Sequence, residues 1–521
     1  MWNTIPCSME THISESAILP LPGVPTVAAG ASTSLAGRVT GRVLQAFGQI
    51  LLARLLGPDT YGLYALALTA LGLAALVAPL GLDRAVIRFA RIDPRATATV
   101  GRGFFLRAIA FAGVIGLTIA AIVALAAPAA AESLFHDARV VWVLRWIAPA
   151  FALIAGLRVA TAATRVSFRM SYTVLTEDLV VPAVGLAFAI LMIVMGFGLR
   201  GVLAAASVAH ALALGLGIAF VWRLFPIREA EGRPAKIRLL DLLAFSIPAS
   251  AAVTLNALIT MVDRIAIGSF GNAADLGIYQ AAAQISIWFA LVMATFSTVL
   301  APLISTLHQA GDRERLAESY RVATKWGTYL CVPMALLAVL VPGRMMEVLF
   351  GADFAAGRAA LLVLALGQFI NVATGAVGPM LIMTGHPRRW AIHNLAALAI
   401  AVILNLLLTP RLGVLGAALS TSGALVVLFG SGLFAVRRTV GMWPYDRRFL
   451  KGVVAGAVAA ACLILVERFT WQPAWLVLLI ETALAFGVFG FVLWTLGLDE
   501  EDRMMLRNAA RSLTGKATTR G

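Results

Sequence analysis

Long, continuous apolar segments separated by short polar loops dominate the pattern along this chain. The segments are uniformly apolar and do not alternate, and in lipid a helix satisfies its own backbone hydrogen bonds. Roughly 20 helical residues cross the hydrocarbon core. We therefore predict an all-α, polytopic transmembrane bundle of about fourteen spans. The predicted spans are 35–55, 62–82, 104–128, 139–160, 174–196, 200–222, 242–262, 277–302, 324–343, 357–384, 390–409, 413–436, 450–466 and 474–497.

Basic residues are distributed unevenly between the loops. The loops after even-numbered spans hold 25 Arg and Lys residues, whereas the odd-numbered loops and nearby span ends hold about nine. Arg158, Arg165 and Arg169 form the basic group after the fourth span. Because cytoplasmic loops carry the basic excess, we predict that both termini are cytoplasmic. An even number of spans agrees with this topology.

The composition supports a membrane protein. The 521 residues are 60% hydrophobic and 13% charged, whereas soluble domains carry roughly 25% charged residues. The net charge of +15 comes from short loops, so we exclude nucleic acid as a partner. Cys7, Cys331 and Cys462 have no metal-binding spacing and are predicted to be packing thiols.

The two halves of the chain repeat at a fixed offset. Gly62-Leu63-Tyr64 opens span 2, and Gly277-Ile278-Tyr279 opens span 8. The segments 198–204 and 413–419, which open spans 6 and 12, are related by the same shift in residue number. The repeat unit is therefore six spans. An even number of spans gives the halves parallel topology, with the substrate site between them.

The repeated glycines mark short turns that reverse into helices. Gly62 and Gly277 are predicted to serve the backbone and close helix packing instead of a ligand. Arg54 and Arg264 precede the two turns at a slightly shorter offset. The predicted organisation is a flexible cytoplasmic tail (1–34), a first half (35–222), a linker (223–241), a second half (242–436), a linker (437–449), an extra helix pair (450–497) and a cytoplasmic tail (498–521).

Several of these segments resemble a known family. Leu51–Tyr64, read as LLARLLGPDTYGLY, and Leu80–Ala85 closely resemble the start of Wzx-type polysaccharide flippases. The second-half segments Phe245–Pro248, Asp263–Gly268 and Gly277–Tyr279 are also similar to that family. The resemblance covers roughly residues 35–440. The family belongs to the multidrug/oligosaccharidyl-lipid/polysaccharide exporter superfamily.

The resemblance implies two six-span bundles around a central cavity that works by alternating access. It also implies export of undecaprenyl-diphosphate-linked oligosaccharide across the bacterial inner membrane, for O-antigen or another surface polysaccharide such as that of lipopolysaccharide. The implied partners are this lipid-linked oligosaccharide and membrane lipids, with polysaccharide polymerase and chain-length machinery as further candidates. We expect no enzyme activity and no cofactor, because the sequence has no Gly-x-x-x-x-Gly-Lys-Ser/Thr loop and no catalytic constellation.

Charged residues inside the spans are the candidate substrate-binding residues. A diphosphate is anionic, and guanidinium groups bind phosphate in a bidentate manner. Charge inside a membrane span is costly and therefore points to function. The alternatives are topology anchors that snorkel to head groups and, for the Asp-Arg pair, an interfacial pair at a span end. The candidates are Arg38, Arg42, Arg84, Arg145, Asp263 and Arg264.

Other polar residues carry weaker predictions. Glu177 and Asp178 could bind a coupling cation, although an acidic helix N-terminus is the simpler interpretation. His210 could relay protons but is predicted to be a packing histidine. Asn256 and Gln284 are candidate cavity donors or interhelical hydrogen-bonding groups. Glu481 receives no role.

Three rival functions remain open. A cation-coupled multidrug exporter of the same superfamily should show acidic residues deep in the bundle, and none of the first-half spans shows one that is clearly deep. A membrane glycosyltransferase or polymerase would need a larger loop or domain than the longest loops, of about twenty residues. A lipid II flippase is separated from the leading hypothesis by resemblance alone.

Overall fold

The computed structural model consists of helices and turns, with no strand in the residues that it describes. These are 24–91, 102–167, 170–225, 242, 246, 250, 254–255, 257–467, 473–497 and 499, with side chains described from residue 37. In the described residues, eleven helices are long and apolar enough to cross a membrane. The predicted all-α transmembrane bundle is therefore confirmed.

The described part of the first half contains seven α-helices longer than a single turn. A π-helical segment, Val174–Val180, joins the short turn Met170–Thr173 to the sixth of them, and another, Ala131–Phe135, extends the third. The helices are α1 (Val24–Val77), α2 (Leu82–Arg91), α3 (Arg102–Ala130), α4 (Arg139–Ile147), α5 (Pro149–Val166), α6 (Val181–Val194) and α7 (Gly198–Leu224).

The described part of the second half and the extra pair contain nine more α-helices. A 3₁₀ turn, Ala352–Gly357, follows the eleventh helix of the chain. The helices are α8 (Val262–Phe270), α9 (Ala273–Gln309), α10 (Arg313–Leu340), α11 (Pro342–Phe350), α12 (Arg358–Ala373), α13 (Val377–Met383), α14 (Pro387–Thr439), α15 (Phe449–Glu467) and α16 (Ala474–Thr495).

Two of the helices each cover two predicted spans. Helix α1 breaks at Gly57 (φ 70°) before Pro58, and α14 breaks at Gly413 (φ 55°). Only glycine adopts such angles without strain. The seventh predicted span, 242–262, lies largely outside the described residues, as does Asn256. The total of fourteen spans therefore stays a prediction.

The N-terminal boundary differs from the expectation. Helix α1 begins at Val24, so residues 24–34, which the composition assigns to a flexible tail, are helical. Pro25 stands at the start of the helix, where its missing N–H costs nothing. The following stretch is rich in alanine, the strongest helix former, which extends the helix ahead of the apolar span.

The backbone shows the repeat at more places than the sequence motifs. Gly198 and Gly413 have nearly the same positive φ, 53° and 55°. His136 and Gly351, which are related by the same offset as these two glycines, both have positive φ as well. The four residues that precede them, 132–135 and 347–350, share Glu, Leu and Phe at corresponding positions. The two halves thus depart from helical backbone angles at these corresponding positions.

The repeated glycines bring the halves together. A Cβ atom on Gly62 would lie 1.6 Å from the carbonyl oxygen of Ala273, and one on Gly277 would lie 2.0 Å from that of Pro58. Pro58 and Ala273 are equivalent positions of the two repeats, so the contact is reciprocal. We call this contact the glycine junction. A pseudo-twofold axis between the halves passes through it.

The halves also meet at the other end of α1. A Cβ atom on Gly81 would lie 2.4 Å from the carbonyl oxygen of Ser246. The helical stretch from Gly62 to the end of α1 at Val77 rises about 23 Å, at 1.5 Å per residue. The halves are therefore in contact near both ends of this stretch.

The extra pair α15 and α16 packs on the second half, chiefly against α10. The Tyr329 hydroxyl donates to the carbonyl oxygen of Arg448 (2.7 Å), and Gly452 lies against the Tyr329 ring. Beyond α16, the Asp499 carboxylate binds Lys451 at 2.8 Å and Lys325 at 3.4 Å. These contacts fix the pair to the bundle at one end.

Candidate functional site

A cavity of about 440 Å³ lies in the first half and is bordered by helices α1, α5, α6 and α7. Ala257 and Met261 of the second half complete one wall. Most of the lining is aliphatic, with a set of polar groups concentrated on a few faces. The polar lining residues are Arg42, Gln45, Gln49, Tyr64, Arg158, Glu177, Asp178 and His210.

One helical face of α1 supplies much of the polar lining. Arg38, Arg42, Gln45 and Gln49 stand at spacings of four, three and four residues, which places them on one side of the helix. The Arg42 Nη1 atom donates to the Gln45 Oε1 atom at 3.4 Å. Arg38 is exposed one turn earlier and does not line the cavity itself.

Glycine allows this face of α1 to approach the opposite wall. A Cβ atom on Gly41 would lie 2.0 Å from the carbonyl oxygen of Asp178. The backbones of α1 and the 174–180 segment are therefore in direct contact. This approach places Arg42 next to the carboxylates of the facing segment.

The two carboxylates come from the π-helical segment Val174–Val180. Glu177 accepts a hydrogen bond from the Thr161 hydroxyl at 2.5 Å and pairs with Arg165 at 3.5 Å. The helix begins at Met170, so Glu177 and Asp178 do not stand at a helix N-terminus, and that simpler interpretation was wrong. The wider π turn instead presents both carboxylates to the cavity.

Arginines lie close to the two carboxylates of the cavity. The positive charges that act on Asp178 belong to Arg38, Arg42 and Arg165. Arg158 lines the cavity as the one exposed side chain in an otherwise buried stretch of α5. Two arginines, Arg42 and Arg158, and two carboxylates therefore line the cavity. The two guanidinium groups can bind an anionic ligand through charge-assisted hydrogen bonds.

His210 lines the cavity from α7 but its ring is already engaged. The Nδ1 atom lies 2.7 Å from the carbonyl oxygen of Ala206, one turn earlier on the same helix. That contact requires a proton on Nδ1, which leaves Nε2 as the free position. His210 therefore has one ring nitrogen hydrogen-bonded within its own helix, and its Nε2 atom is available to the cavity.

The cavity ends at a tyrosine pair near the glycine junction. The Tyr61 hydroxyl donates to Gln49 Oε1 at 3.0 Å, and Gln49 Nε2 lies 3.5 Å from the Tyr64 hydroxyl. The two rings lie 6.0 Å apart between centroids. This hydrogen-bonded layer closes the cavity at the end that faces the junction.

Asp263 and Arg264 form a separate polar cluster in the second half. Asp263 is 3% exposed and accepts hydrogen bonds from the hydroxyls of Tyr279 and Thr421, the latter at 3.1 Å. Arg264 donates to Gln280 Oε1 at 2.7 Å. Neither residue lines the first-half cavity. The structure therefore does not bring Asp263 and Arg264 together with Arg38 and Arg42.

The remaining predicted site residues also lie outside the cavity. Arg145 is exposed on α4, where its Nε atom donates to the carbonyl oxygen of Ala124 at 3.4 Å. Arg84 is half-buried and Arg88 exposed on the short helix α2, which packs against α5. Among the predicted arginines that are described, Arg42 alone lines the cavity.

Sequence reasoning missed two groups of functional candidates. It placed Arg158 with the basic loop residues, although the residue stands within the predicted span 139–160. It left Gln49 and the two tyrosines without a role. The position of Gln49 in the sequence could have identified it, because Gln49 continues the helical spacing of Arg38, Arg42 and Gln45 along α1.

The comparisons with known proteins identify the family. The family model described as "Polysaccharide biosynthesis protein" matches residues 51–357, more than half of the chain. One curated relative is the probable flippase AglR of Haloferax volcanii, 28% identical over 254 residues, with 47% of this chain and 52% of that protein covered. The succinoglycan biosynthesis transport protein ExoT of Rhizobium meliloti is 27% identical over 326 residues, with 61% of this chain and 62% of that protein covered. The chain thus matches about half to three-fifths of these relatives' length.

Solved structures share the fold at low sequence identity. The lipid II flippase MurJ, in an inward closed conformation, has a TM-score of 0.71 and 14% identity, with 88% of this chain and 97% of that chain covered. A multidrug resistance MATE family transporter, in an inward-facing conformation, has a TM-score of 0.61 and 16% identity, with 76% and 96% covered. The chain therefore belongs to the polysaccharide biosynthesis protein family.

Proposed function

We propose that this protein is a Wzx-like flippase that moves a lipid-linked, undecaprenyl-diphosphate oligosaccharide across the cytoplasmic membrane for surface polysaccharide synthesis. The observation that carries the proposal is that Arg42 and Arg158 line the first-half cavity. A diphosphate offers oxygens that both guanidinium groups can bind in a bidentate manner. The lipid tail stays in the bilayer while the head group crosses through the polar cavity.

The cost of placing Arg42 and Arg158 within the membrane favours a phosphate ligand at these two residues. An arginine at the centre of a span costs about 2.5–3.5 kcal/mol on insertion scales. Bidentate, charge-assisted hydrogen bonds to phosphate oxygens offset that cost when substrate is bound. The cavity of about 440 Å³ falls in the range of roughly 300–1,000 Å³ for small-molecule sites. That volume suits a head group and not a whole glycan chain.

In this proposal the substrate crosses by alternating access, in which the two halves of the protein move relative to each other. The halves touch at the glycine junction and again at Gly81 and Ser246. When one half rocks against the other, either the glycine junction or the Gly81–Ser246 contact separates while the other is kept. The positive-inside rule places the Gly81 end and both termini on the cytoplasmic side. The glycine junction then faces the periplasm.

Complementation tests the proposal directly. The chain should restore surface polysaccharide to a flippase-null strain, with lipid-linked precursor appearing in the periplasmic leaflet. The variant Arg158→Ala should lose export at equal membrane abundance, and Arg145→Ala should retain it. Unchanged surface polysaccharide with normal protein levels would overturn the proposal.

A cation-coupled multidrug exporter is a second candidate, and Glu177 with Asp178 favours it. Both carboxylates line the cavity of the first half, where the sequence had suggested no clearly deep acidic residue. Such an exporter should protect cells from cationic drugs and lose that protection on Asp178→Asn. Drug protection without any change in lipid-linked precursor would replace the flippase proposal.

A lipid II flippase remains the alternative cargo assignment. The structural likeness to the lipid II flippase MurJ establishes the fold and not the cargo. Depletion of the host's own lipid II flippase separates the two. Rescue of growth by this chain would assign lipid II, and rescue of surface polysaccharide alone would assign the oligosaccharide carrier.

A further inference from the structure

The short helix α11 (Pro342–Phe350) receives a cation from the first half at its C-terminal end. Arg54 donates through Nε to the carbonyl oxygen of Leu349 at 2.7 Å and through Nη2 to that of Val348. Carbonyl groups of the last helical turn have no partner within their own helix, and they carry partial negative charge. Arg54 therefore caps α11 across the boundary between the halves, three residues before the break at Gly57.

The opposite end of α11 is held by the extra helix pair. Arg344, in the first turn of α11, forms an ion pair with Glu481 of α16. Glu481 is 0% exposed, and its second oxygen has no hydrogen-bond partner among the described residues. A buried carboxylate with a single cationic partner depends strongly on that partner, because removing either one leaves an uncompensated charge.

Aromatic packing adds a second route from α11 to the first half. Phe350, the last residue of α11, lies 5.8 Å from Phe354 between ring centroids. Phe354 in turn meets the Tyr61 ring edge-on at 6.1 Å. Tyr61 stands one residue before Gly62 and is fully buried. Helix α11 therefore contacts Arg54 directly and reaches Tyr61 through Phe354, so it is connected to residues on both sides of Pro58 and Gly62 in the sequence.

We propose that α11 is a strut that couples the extra pair α15–α16 to the glycine junction. Nine helical residues span about 13 Å as a rigid unit, with Glu481 anchored at one end and Arg54 at the other. Loss of either anchor frees the strut and shifts the protein toward conformations in which the two halves are separated at the glycine junction. The state of the extra pair then controls how easily the two halves part at this end.

Spin-label distances test the strut without reference to transport. In a background without Cys7, Cys331 and Cys462, cysteines at Ala138 of the first half and Phe270 of the second carry the labels. Both positions are exposed and lie beside the small cavity at the junction, lined by Ala138 and the neighbouring Gly271. The purified full chain in nanodiscs gives the distribution of label distances.

We expect one dominant short distance in the parent protein. Arg54→Gln and Glu481→Gln should each raise the long-distance population by about threefold or more, a size typical of coupling between sites. The exchange Arg344→Glu with Glu481→Arg should restore the parent distribution. The matched control is Asp312→Asn, which removes a carboxylate that contacts Arg315 at 3.5 Å, away from α11 and the extra pair, and it should leave the distances unchanged.

An unchanged distribution in well-folded Glu481→Gln protein, with a shift in Arg54→Gln, would overturn the coupling. No shift in either variant would overturn it as well. Should Glu481→Gln fail to accumulate, Arg344→Ala combined with Glu481→Ala provides the test, because it removes the contact and leaves neither charge buried without its partner. A parent-like distribution in that double variant would contradict the strut.

Discussion

Gly62 and Gly277 lie backbone to backbone at the boundary between the two halves. The amide nitrogen of Gly277 lies 2.9 Å from the position that a Cβ atom on Gly62 would take. No larger side chain fits at either position, so this close approach of the halves requires glycine at both Gly62 and Gly277. The residues of the repeated motif are therefore also the residues that join the repeats.

Alanine at Gly62 or Gly277 should separate the halves at this junction. The added methyl group meets backbone atoms, which cannot rotate away, and overpacking of this kind costs about 1–3 kcal/mol or more. We expect a lower thermal unfolding temperature for both variants in detergent. Gly487→Ala is the control, since a Cβ atom there meets nothing within 4 Å. Equal unfolding temperatures for Gly62→Ala and Gly487→Ala would contradict the close contact.

The effect of an arginine substitution on export should depend on whether that arginine lines the cavity. Arg42→Ala and Arg158→Ala remove guanidinium groups from the cavity lining and should impair export strongly. Arg88→Ala changes a residue of α2 outside that lining and should have a smaller effect at equal expression. Surface polysaccharide per cell, normalised to membrane protein, measures the difference. A stronger defect in Arg88→Ala than in Arg42→Ala would make Arg42 a topology anchor.

The Asp263 cluster should contribute mainly to stability. Asp263→Ala leaves the hydroxyls of Tyr279 and Thr421 without their shared acceptor, at a cost of about 1–3 kcal/mol for each buried group left unpaired. Thr421→Val removes only one of these donors and should cost less. Thermal unfolding of the two variants checks the order. A loss of export in Asp263→Ala with unchanged stability would instead support a direct role in substrate binding.

The contact of Asp499 with Lys451 and Lys325 should make the docking of the extra pair sensitive to acid. Burial by itself would raise the pKa of the Asp499 carboxyl, but the hydrogen bond from Lys451 and the charges of both lysines hold the pKa below its usual value. A lowered folded-state pKa means that the contribution to stability is complete at neutral pH and is lost as the pH falls through that pKa.

The Asp499→Asn variant should therefore be less stable than the parent at neutral pH and should approach it in acid. Unfolding temperatures measured from neutral pH to below the usual aspartate pKa of about 3.9 show this convergence. Asp446→Asn, which removes a carboxylate contact to Arg448 within the 437–449 linker, serves as the control. A constant difference between Asp499→Asn and the parent at all pH values would refute the assignment.

Much of the architecture follows from local pattern. Uniform apolar runs predict helices in lipid, and the constant offset between repeated motifs predicts two equivalent halves. Both inferences need only the order of residues along the chain. The site was less predictable, because Arg42 and Arg145 are equally charged and equally embedded in sequence. The rotation of α1 turns Arg42 to the cavity, whereas α4 exposes Arg145 on its outer side.

By itself, the sequence determined the helical membrane bundle, the repeat and the family, since each depends on composition or on residues close together in the chain. Only the tertiary structure decided that the cavity lined by Arg42 and Arg158 lies in the first half. It likewise decided that Asp263 binds Tyr279 and Thr421 within the second half. It also decided that Arg54 caps a helix about 295 residues away. The physical reason is that a side chain's partner depends on helix rotation and on packing between distant segments, which hydropathy does not encode.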